Sequence, residues 1–360
     1  MASRSVTLDD VARAAGVSYQ TVSRVLNRSQ QVAPDTRQRV EAAMRQLNYV
    51  PNRVAQQLAG KTRRTIGLAT SDLVLQAPAQ IASAIQHEAS AQGYQLVIAM
   101  ADAPGVDAAR AAVNELLAQR VDGLLLNLPL HTADACELSE LLATLPALFM
   151  DVAADAPVAQ CVCSAEWGAR LGAEHLLALG HRRIALLNGP ASSVAAKQRF
   201  DVWQQVLAEH QLQPHSVLEG DWSARAGYQA MLTLLPDNLP DALLTANDQM
   251  ALGALRALHQ HGVRVPADVS VVGYDDTAES AWYQPPLTTV RQDLRQLGQQ
   301  SVLQLVANIE QRSWQAPPLT TELVIRETTA RAGIADEEKE IADELARLAQ
   351  RLRARKPRHE

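Results

Sequence analysis

Five polar residues recur at one kind of position. Ser71, Asn127, Asp151, Asn247 and Asp275 each stand just past a short apolar run of β-forming residues (65–70, 121–126, 147–150, 242–246 and 269–272). Carboxylates and amides bond neighbouring hydroxyls in pairs, and open α/β sheets bind ligands at the carboxyl ends of their strands. One such residue is usually a turn former or a helix cap. Five, drawn from both halves of a long segment, point to a polar ligand held between two lobes, and a sugar suits the set. Arg199, in a helix after Gly189-Pro190, adds a cation, and Trp222, within Glu219-Gly220-Asp221-Trp222-Ser223, adds an indole able to lie against a pyranose face. A second group sits near the start of the chain, where Tyr19, Gln20, Ser23 and Arg24 share the first turns of a short helix and can bond base edges or phosphates.

The elements that must hold these residues are legible. Thr7 and Asp10 form a capping box ahead of Leu8, Val11, Ala12 and Ala15, and Gly16 stops that helix. Ser18 caps a second helix through Leu26, so two helices joined by a tight turn make a helix-turn-helix, whose second helix enters the major groove. A third helix starts at Pro34 and buries Val40, Ala43, Met44 and Leu47. Residues 52–60, capped by Asn52 and ended by Gly60, are too short to be helical alone in water. They are expected to order on DNA, with Leu58 as a wedge at a minor-groove base step. From Thr65 to about Thr329 short β runs alternate with helical stripes, which means parallel sheets covered on both faces.

Charge divides the chain in the same place. Residues 1–64 hold eleven Lys/Arg against four Asp/Glu, a balance of +7, so the net −6 leaves −13 on the rest. A basic head on an acidic body fits a polyanion-binding module joined to a separate core. No uncharged apolar stretch is long enough to span a bilayer, residues 1–8 read as no export signal, and three cysteines are too few for a disulfide framework. The expectation is a cytoplasmic protein with no membrane partner. Enzyme motifs are missing: there is no His-Glu-x-x-His, no phosphate-binding glycine loop and no Gly-x-Ser-x-Gly. Glu174-His175 reads as helix surface, and Cys161 and Cys163, alternating on an expected strand, lack the His partners of a zinc site. Neither a metal nor a cofactor is expected.

The runs at 6–12 (Val-Thr-Leu-x-Asp-Val-Ala), 15–25 (Ala-Gly-Val-Ser-Tyr-Gln-Thr-Val-Ser-Arg-Val) and 52–61 resemble the lac/gal repressor family of bacterial regulators, and the resemblance extends to about residue 330. It implies an all-α head on an α/β core of two doubly wound subdomains, arranged like a periplasmic sugar-binding protein, with a short C-terminal helix. The implied DNA-facing set is Thr7, Ser18, Tyr19, Gln20, Thr21, Ser23, Arg24, Asn27, Gln31, Asn52, Val54, Ala55 and Leu58. The implied ligand set joins the hydroxyl-bonding Asp151, Arg199, Asn247 and Asp275 to Ser71, Asn127, Ser193 and Gln249, with Leu75, Ala77, Pro78 and Ile81 as an apolar wall and Trp222 as the stacking ring. Four positions depart from the pattern. Ala33 replaces a capping serine, Gln31 a histidine at a backbone contact, and Cys163 and Leu294 replace phenylalanines of the wall, which loosens it.

Residues 334–360 change composition: an acidic first half, a basic second half, and Ile341, Leu345, Leu348 and Leu352 spaced as a two-heptad seam. The expected organisation is a DNA-binding domain at 1–50, a hinge at 51–64, a sugar-binding and dimerisation core at 65–333, and a tetramerisation helix at 334–360. The expected function is a repressor that binds operator DNA as a homodimer or dimer of dimers, and that a galactoside-type inducer releases. The alternatives are a repressor of another sugar operon, a corepressor-type member, and a sugar-transport binding protein.

Overall fold

The computed structural model describes residues 6–27, 32–50, 64–235, 237–333, 341–342 and 344–351. Two compact units divide between residues 63 and 64. In the first, α1 (Leu8–Ala15) begins at Thr7, whose hydroxyl accepts from the Asp10 N–H while the Asp10 carboxylate accepts from the Thr7 N–H. The reciprocal pair satisfies donors that every helix start leaves open. Gly16 ends the helix at φ 64°, a left-handed conformation that costs a side chain strain. The Ser18 hydroxyl accepts from the Thr21 N–H at 3.2 Å and starts α2 (Tyr19–Asn27). In α3 (Pro34–Gln46), Ala33 gives no side-chain cap. Val11, Ala12, Ala15, Val22, Val25, Val40 and Ala43 are buried together, with Met44 and Leu47 packed against them.

The second unit holds two sheets. Strands β1 (Thr65–Thr70), β2 (Gln95–Met100), β3 (Gly123–Asn127) and β4 (Ala147–Phe149) are parallel in the order β2-β1-β3-β4. They are joined through α4 (Gln76–Ala91), α5 (Val106–Ala118) and α6 (Thr132–Leu141). The other sheet has the order β10-β9-β8-β7-β5-β6. Its strands are β5 (Ile184–Asn188), β6 (Ser216–Glu219), β7 (Ala242–Thr245), β8 (Ser270–Asp275), β9 (Thr288–Gln292) and β10 (Thr321–Val324), and only β10 is antiparallel. Helices α7 (Ala165–Ala178), α8 (Val194–Glu209), α9 (Ala224–Leu232) and α10 (Asp248–Gln260) belong to it. Central strands such as β1, β3, β7 and β8 are buried along their whole length, as parallel strands covered on both faces must be.

The chain does not finish one lobe before starting the other. After β9, α11 (Leu294–Ile309) buries Leu294, Leu297, Val302, Leu305 and Val306 with Ile66, Leu68 and Ile85 in the first lobe, and the chain then returns as β10. With the segment between β4 and α7, this makes three crossings between the lobes.

Three expectations need correction. Asn127 and Asp275 are the last residues of their strands, not the first beyond them. Cys161 and Cys163 do not lie on a strand: the crossover segment holding them makes two isolated bridges, Leu130–Val152 and Phe149–Gln160, so period-two spacing there has no ladder to serve. Glu174 and His175 do lie in α7, but His175 is partly buried and its Nε2 shares a 3.0 Å hydrogen bond with the Thr329 hydroxyl. Residues 341–342 and 344–351 are helical, with Ile341, Leu345 and Leu348 exposed. Leu352 lies outside the described residues.

Candidate functional site

On the head, the expected DNA-facing side chains that the structure describes lie at the start of α1 and along α2. Thr7 and Ser18 are exposed at the two helix starts, and Tyr19, Gln20 and Arg24 are exposed on α2, while Thr21 and Ser23 are partly buried. Ser18 and Thr21 hydroxyls bond each other at 2.9 Å. Val22 and Val25 occupy the opposite side of the same helix, in the core. Asn27 ends α2. Gln31, Asn52, Val54, Ala55 and Leu58 lie outside the described residues.

In the core, the strand ends of both sheets open onto one cleft of about 440 Å³. Ser71 follows β1, Asn127 ends β3 and Asp151 follows β4; Leu75, Ala77, Pro78 and Ile81 come from the start of α4. From the other lobe, Ser193 and Arg199 come from α8, Trp222 follows β6, Asn247 and Gln249 flank the first residue of α10, and Asp275 ends β8. Every residue of the expected ligand set lines this cleft, and so do Cys163 and Leu294.

Arg199 is its electrostatic centre. The guanidinium is buried, donates through Nη1 to the Ala246 carbonyl, and places Nη2 3.7 Å from Asp275 Oδ1. It lies 3.8 Å from the centroid of the Tyr274 ring and 5.6 Å from that of Trp222, contacts that stabilise a desolvated cation. Its Nε has no partner among the described residues. Buried donors are nearly always satisfied, and a ligand hydroxyl would satisfy this one. Asp275 accepts from Gln292 Nε2 at 2.8 Å; burial raises its pKa and Arg199 pulls it back. Asp151 is pushed up to about 6 by burial, with Arg199 opposing.

The indole and the amide are fixed by backbone. Trp222 packs so closely on Gly189 that a Cβ there would meet the ring at 2.4 Å, so only glycine admits it. The Asn247 side chain caps α10, accepting from the Met250 N–H at 2.8 Å, and its Nδ2 donates to the Trp222 carbonyl at 2.9 Å. Between Asn247 and Gln249 stands fully buried Asp248, which no sequence signal singled out. Its carboxylate accepts from Ser280 Oγ at 2.6 Å, Thr289 Oγ1 at 2.6 Å and the Thr277 N–H at 3.0 Å. Burial and the neighbouring Asp275 push Asp248 up to about 7 against those bonds. Gln292, Gln198, Ser192 and Asp221 also line the cleft. Gln292 ends β9 and Asp221 follows β6, so both sit at strand ends, whereas Gln198 on α8 and Ser192 ahead of it do not.

Among the described residues, no group of three or more His, Cys, Asp or Glu is placed to hold a metal, and no helix is long and apolar enough to cross a membrane. The cleft carboxylates Asp151 and Asp275 both feel the Arg199 cation.

Comparison with known proteins agrees with both halves. Residues 7–52 match the family model described as bacterial regulatory proteins, lacI family, and residues 173–329 match a periplasmic binding protein-like domain. The chain is 50% identical to the lactose operon repressor of Escherichia coli strain K12 over 354 residues, covering 97% of this chain and 98% of that one. Among solved structures it resembles the lac repressor bound to ONPG in the repressed state, with TM-score 0.84 and 52% identity over 91% of this chain and 100% of that one. It resembles equally the lac repressor dimer bound to operator and the anti-inducer ONPF, with TM-score 0.83 and 51% identity over the same shares. The chain belongs to the lacI family of bacterial regulatory proteins.

Proposed function

We propose that this chain represses a galactoside-utilisation operon: a dimer grips a pseudo-palindromic operator through its helix-turn-helix heads, and a galactoside bound between the core lobes releases it. The observation that carries the reading is the union, in one chain, of the exposed Tyr19–Gln20–Arg24 face with a cleft lined by Asp151, Arg199, Asn247 and Asp275. The E. coli relative is a lactose operon repressor, and the lac repressor structures that this chain resembles are bound to operator and ONPF or to ONPG. On this reading the protein is not an enzyme and acts in the cytoplasm. Residues 51–64 form the hinge, contacting the minor groove through Asn52, Val54, Ala55 and Leu58, while Gln31 meets the DNA backbone. The seam of Ile341, Leu345, Leu348 and Leu352 joins two dimers.

Energetics constrain the switch. Moving a two-state balance from 1:99 to 99:1 takes about 5.5 kcal/mol of differential binding, or about 2.7 kcal/mol for each of two sites in a dimer. A few hydroxyl bonds that form only at one lobe spacing supply that much. A gel-shift titration on a lac-type palindrome tests the reading, with release expected as a galactoside saturates. A complex that survives saturating galactoside rules out induction, and one that tightens marks a corepressor mechanism.

A further inference from the structure

Asp275 meets the cleft on a strained backbone. It ends β8 at φ 109°, and Asp276 follows at φ 53°. Residues with a Cβ keep such conformations only where the surroundings impose them. Two cations hold Asp276: Arg291 Nε donates to it at 2.7 Å, and Arg326 Nη2 lies 2.7 Å away. The residues that follow are held by Asp248. Its Oδ2 accepts from the Thr277 N–H and the Ser280 hydroxyl, and its Oδ1 accepts from the Thr289 hydroxyl on β9. The Thr277 and Ser280 hydroxyls bond each other at 2.8 Å, so the loop after β8 closes around this one carboxylate.

Asp248 itself does not line the cleft, but its neighbours Asn247 and Gln249 do. A Cβ at Gly273 would meet Asp248 Oδ1 at 2.2 Å, so β8 runs directly against the carboxylate. One buried side chain therefore ties the start of α10, which carries Asn247, to the strand and loop that carry Asp275. Asn247 has anchors of its own in the Met250 N–H and the Trp222 carbonyl, so Asp275 is the residue that depends on the tie. Burial and Asp275 bring the Asp248 carboxyl to about 7, where much of it is neutral near pH 7. A neutral acid accepts on one oxygen and donates from the other, a pattern that a carboxamide reproduces.

Resting on the galactoside reading above, we infer that Asp248 is a positioning residue for ligand binding: it fixes Asp275 at the spacing from Asn247 that sugar hydroxyls require, without touching the sugar. Fluorescence titration of the full-length protein with isopropyl β-thiogalactoside tests this. Asp248→Leu should cut affinity roughly thirtyfold and Ser280→Ala, which removes one bond of three, about threefold, while Asp248→Asn stays within about twofold. Repeated in an Asp275→Ala background, Asp248→Leu and Ser280→Ala should each cost less than about twofold more, because no carboxylate remains to be placed. Thermal unfolding of each variant separates this from a general loosening, which would lower stability and sugar affinity alike in both backgrounds. If Asp248→Leu does not fold, the Ser280→Ala pair carries the same cycle. Losses that add in full to that of Asp275→Ala would overturn the inference. So would a folded Asp248→Leu or Ser280→Ala that binds as the parent does, or an Asp248→Asn as weak as Asp248→Leu. Each of these leaves the galactoside reading standing. A parent protein that binds no galactoside would instead overturn that reading, and the role of Asp248 with it.

Discussion

In the head, the side chains proposed to meet DNA stand in solvent: Tyr19 is 50% exposed, and Gln20 and Arg24 are exposed beside it. In the core the reverse holds. Arg199, Asn247 and Asp275 are all buried, and each is bonded to the protein before any ligand arrives. The contrast follows from the size of the partner. A duplex brings its own flat, charged surface, so a small helical unit need only present a row of donors on one helix. A sugar must be wrapped, and its hydroxyls compete with water, so the donors and acceptors that meet it are preorganised by burial, at the cost of shifted protonation. If this division is right, the two regions should fail separately.

The largest separation should come from Asp275→Ala. It removes an acceptor and leaves the buried Arg199 cation without its carboxylate. Sugar affinity should fall roughly a hundredfold, about 3 kcal/mol, while operator affinity stays within threefold. A loss of operator binding of similar size would show that the cleft is not separable from the head.

Next in size is Arg24→Ala. A side chain that reads a base edge contributes discrimination of about 2 kcal/mol, roughly thirtyfold, so preference for operator over random DNA should drop by that factor with sugar binding untouched. Equal losses on both DNAs would make Arg24 a phosphate contact.

These positions differ in how far sequence alone exposes them. The strand-end residues were legible because alternating β and α runs fix where a sheet's carboxyl edge lies, and polar residues after apolar runs are visible by eye. Head and core were legible from capping, spacing and charge. Gln249 came only through the resemblance, and Arg199 was legible only as a nearby cation, since nothing local in a helix tells which turn faces a cleft. Asp248 was not legible: Asn247-Asp248-Gln249 reads as an ordinary helix start, and its partners Thr277, Ser280 and Thr289 are 29 to 41 residues away. Strands β6, β9 and β10 are short, and their partners rather than their own patterns define them. The two crossover cysteines mislead for the same reason: alternation beside a single bridge to the end of β4 does not make a strand.

A smaller effect tests preorganisation by pH. Burial holds Asp151 at about 6, so it is mostly ionised at pH 7 and mostly protonated at pH 5. As an acceptor of a sugar hydroxyl it should lose roughly tenfold in affinity across that interval, and Asp151→Asn should bind weakly with no such dependence. Stability should move the other way. A carboxyl whose folded pKa is raised binds its proton more tightly when folded, so its contribution is lost as pH rises from about 4 through 6, and Asp248, at about 7, extends that loss toward neutrality. An affinity flat from pH 5 to 7 would exclude Asp151 as an ionised acceptor.

The smallest predicted effect lies in the head and concerns a cap. Five helices of the core, α7 to α11, begin with a side chain accepting a backbone N–H: Ser164, Ser193, Ser223, Asn247 and Asp293. In the head α3 begins at Ala33, with φ −53° and ψ 139° but nothing to accept. Pro34 presets the first turn, yet the N–H groups of Asp35 and Thr36 get no side-chain acceptor from the cap position. Ala33→Ser supplies one without changing the backbone and should stabilise the head by about 1 kcal/mol. A unit whose core is seven buried side chains, four of them valines, should feel that amount strongly. Hydrogen exchange on the full-length protein resolves it: amide protection at Val22 and Val40 should rise about fivefold, with protection at Leu186 and Leu244 in the second lobe unchanged. Protection that rises in neither region would mean that solvent already satisfies the α3 start as well as a hydroxyl can. The head would then owe its stability to its core packing, the Thr7–Asp10 box and the Ser18 cap.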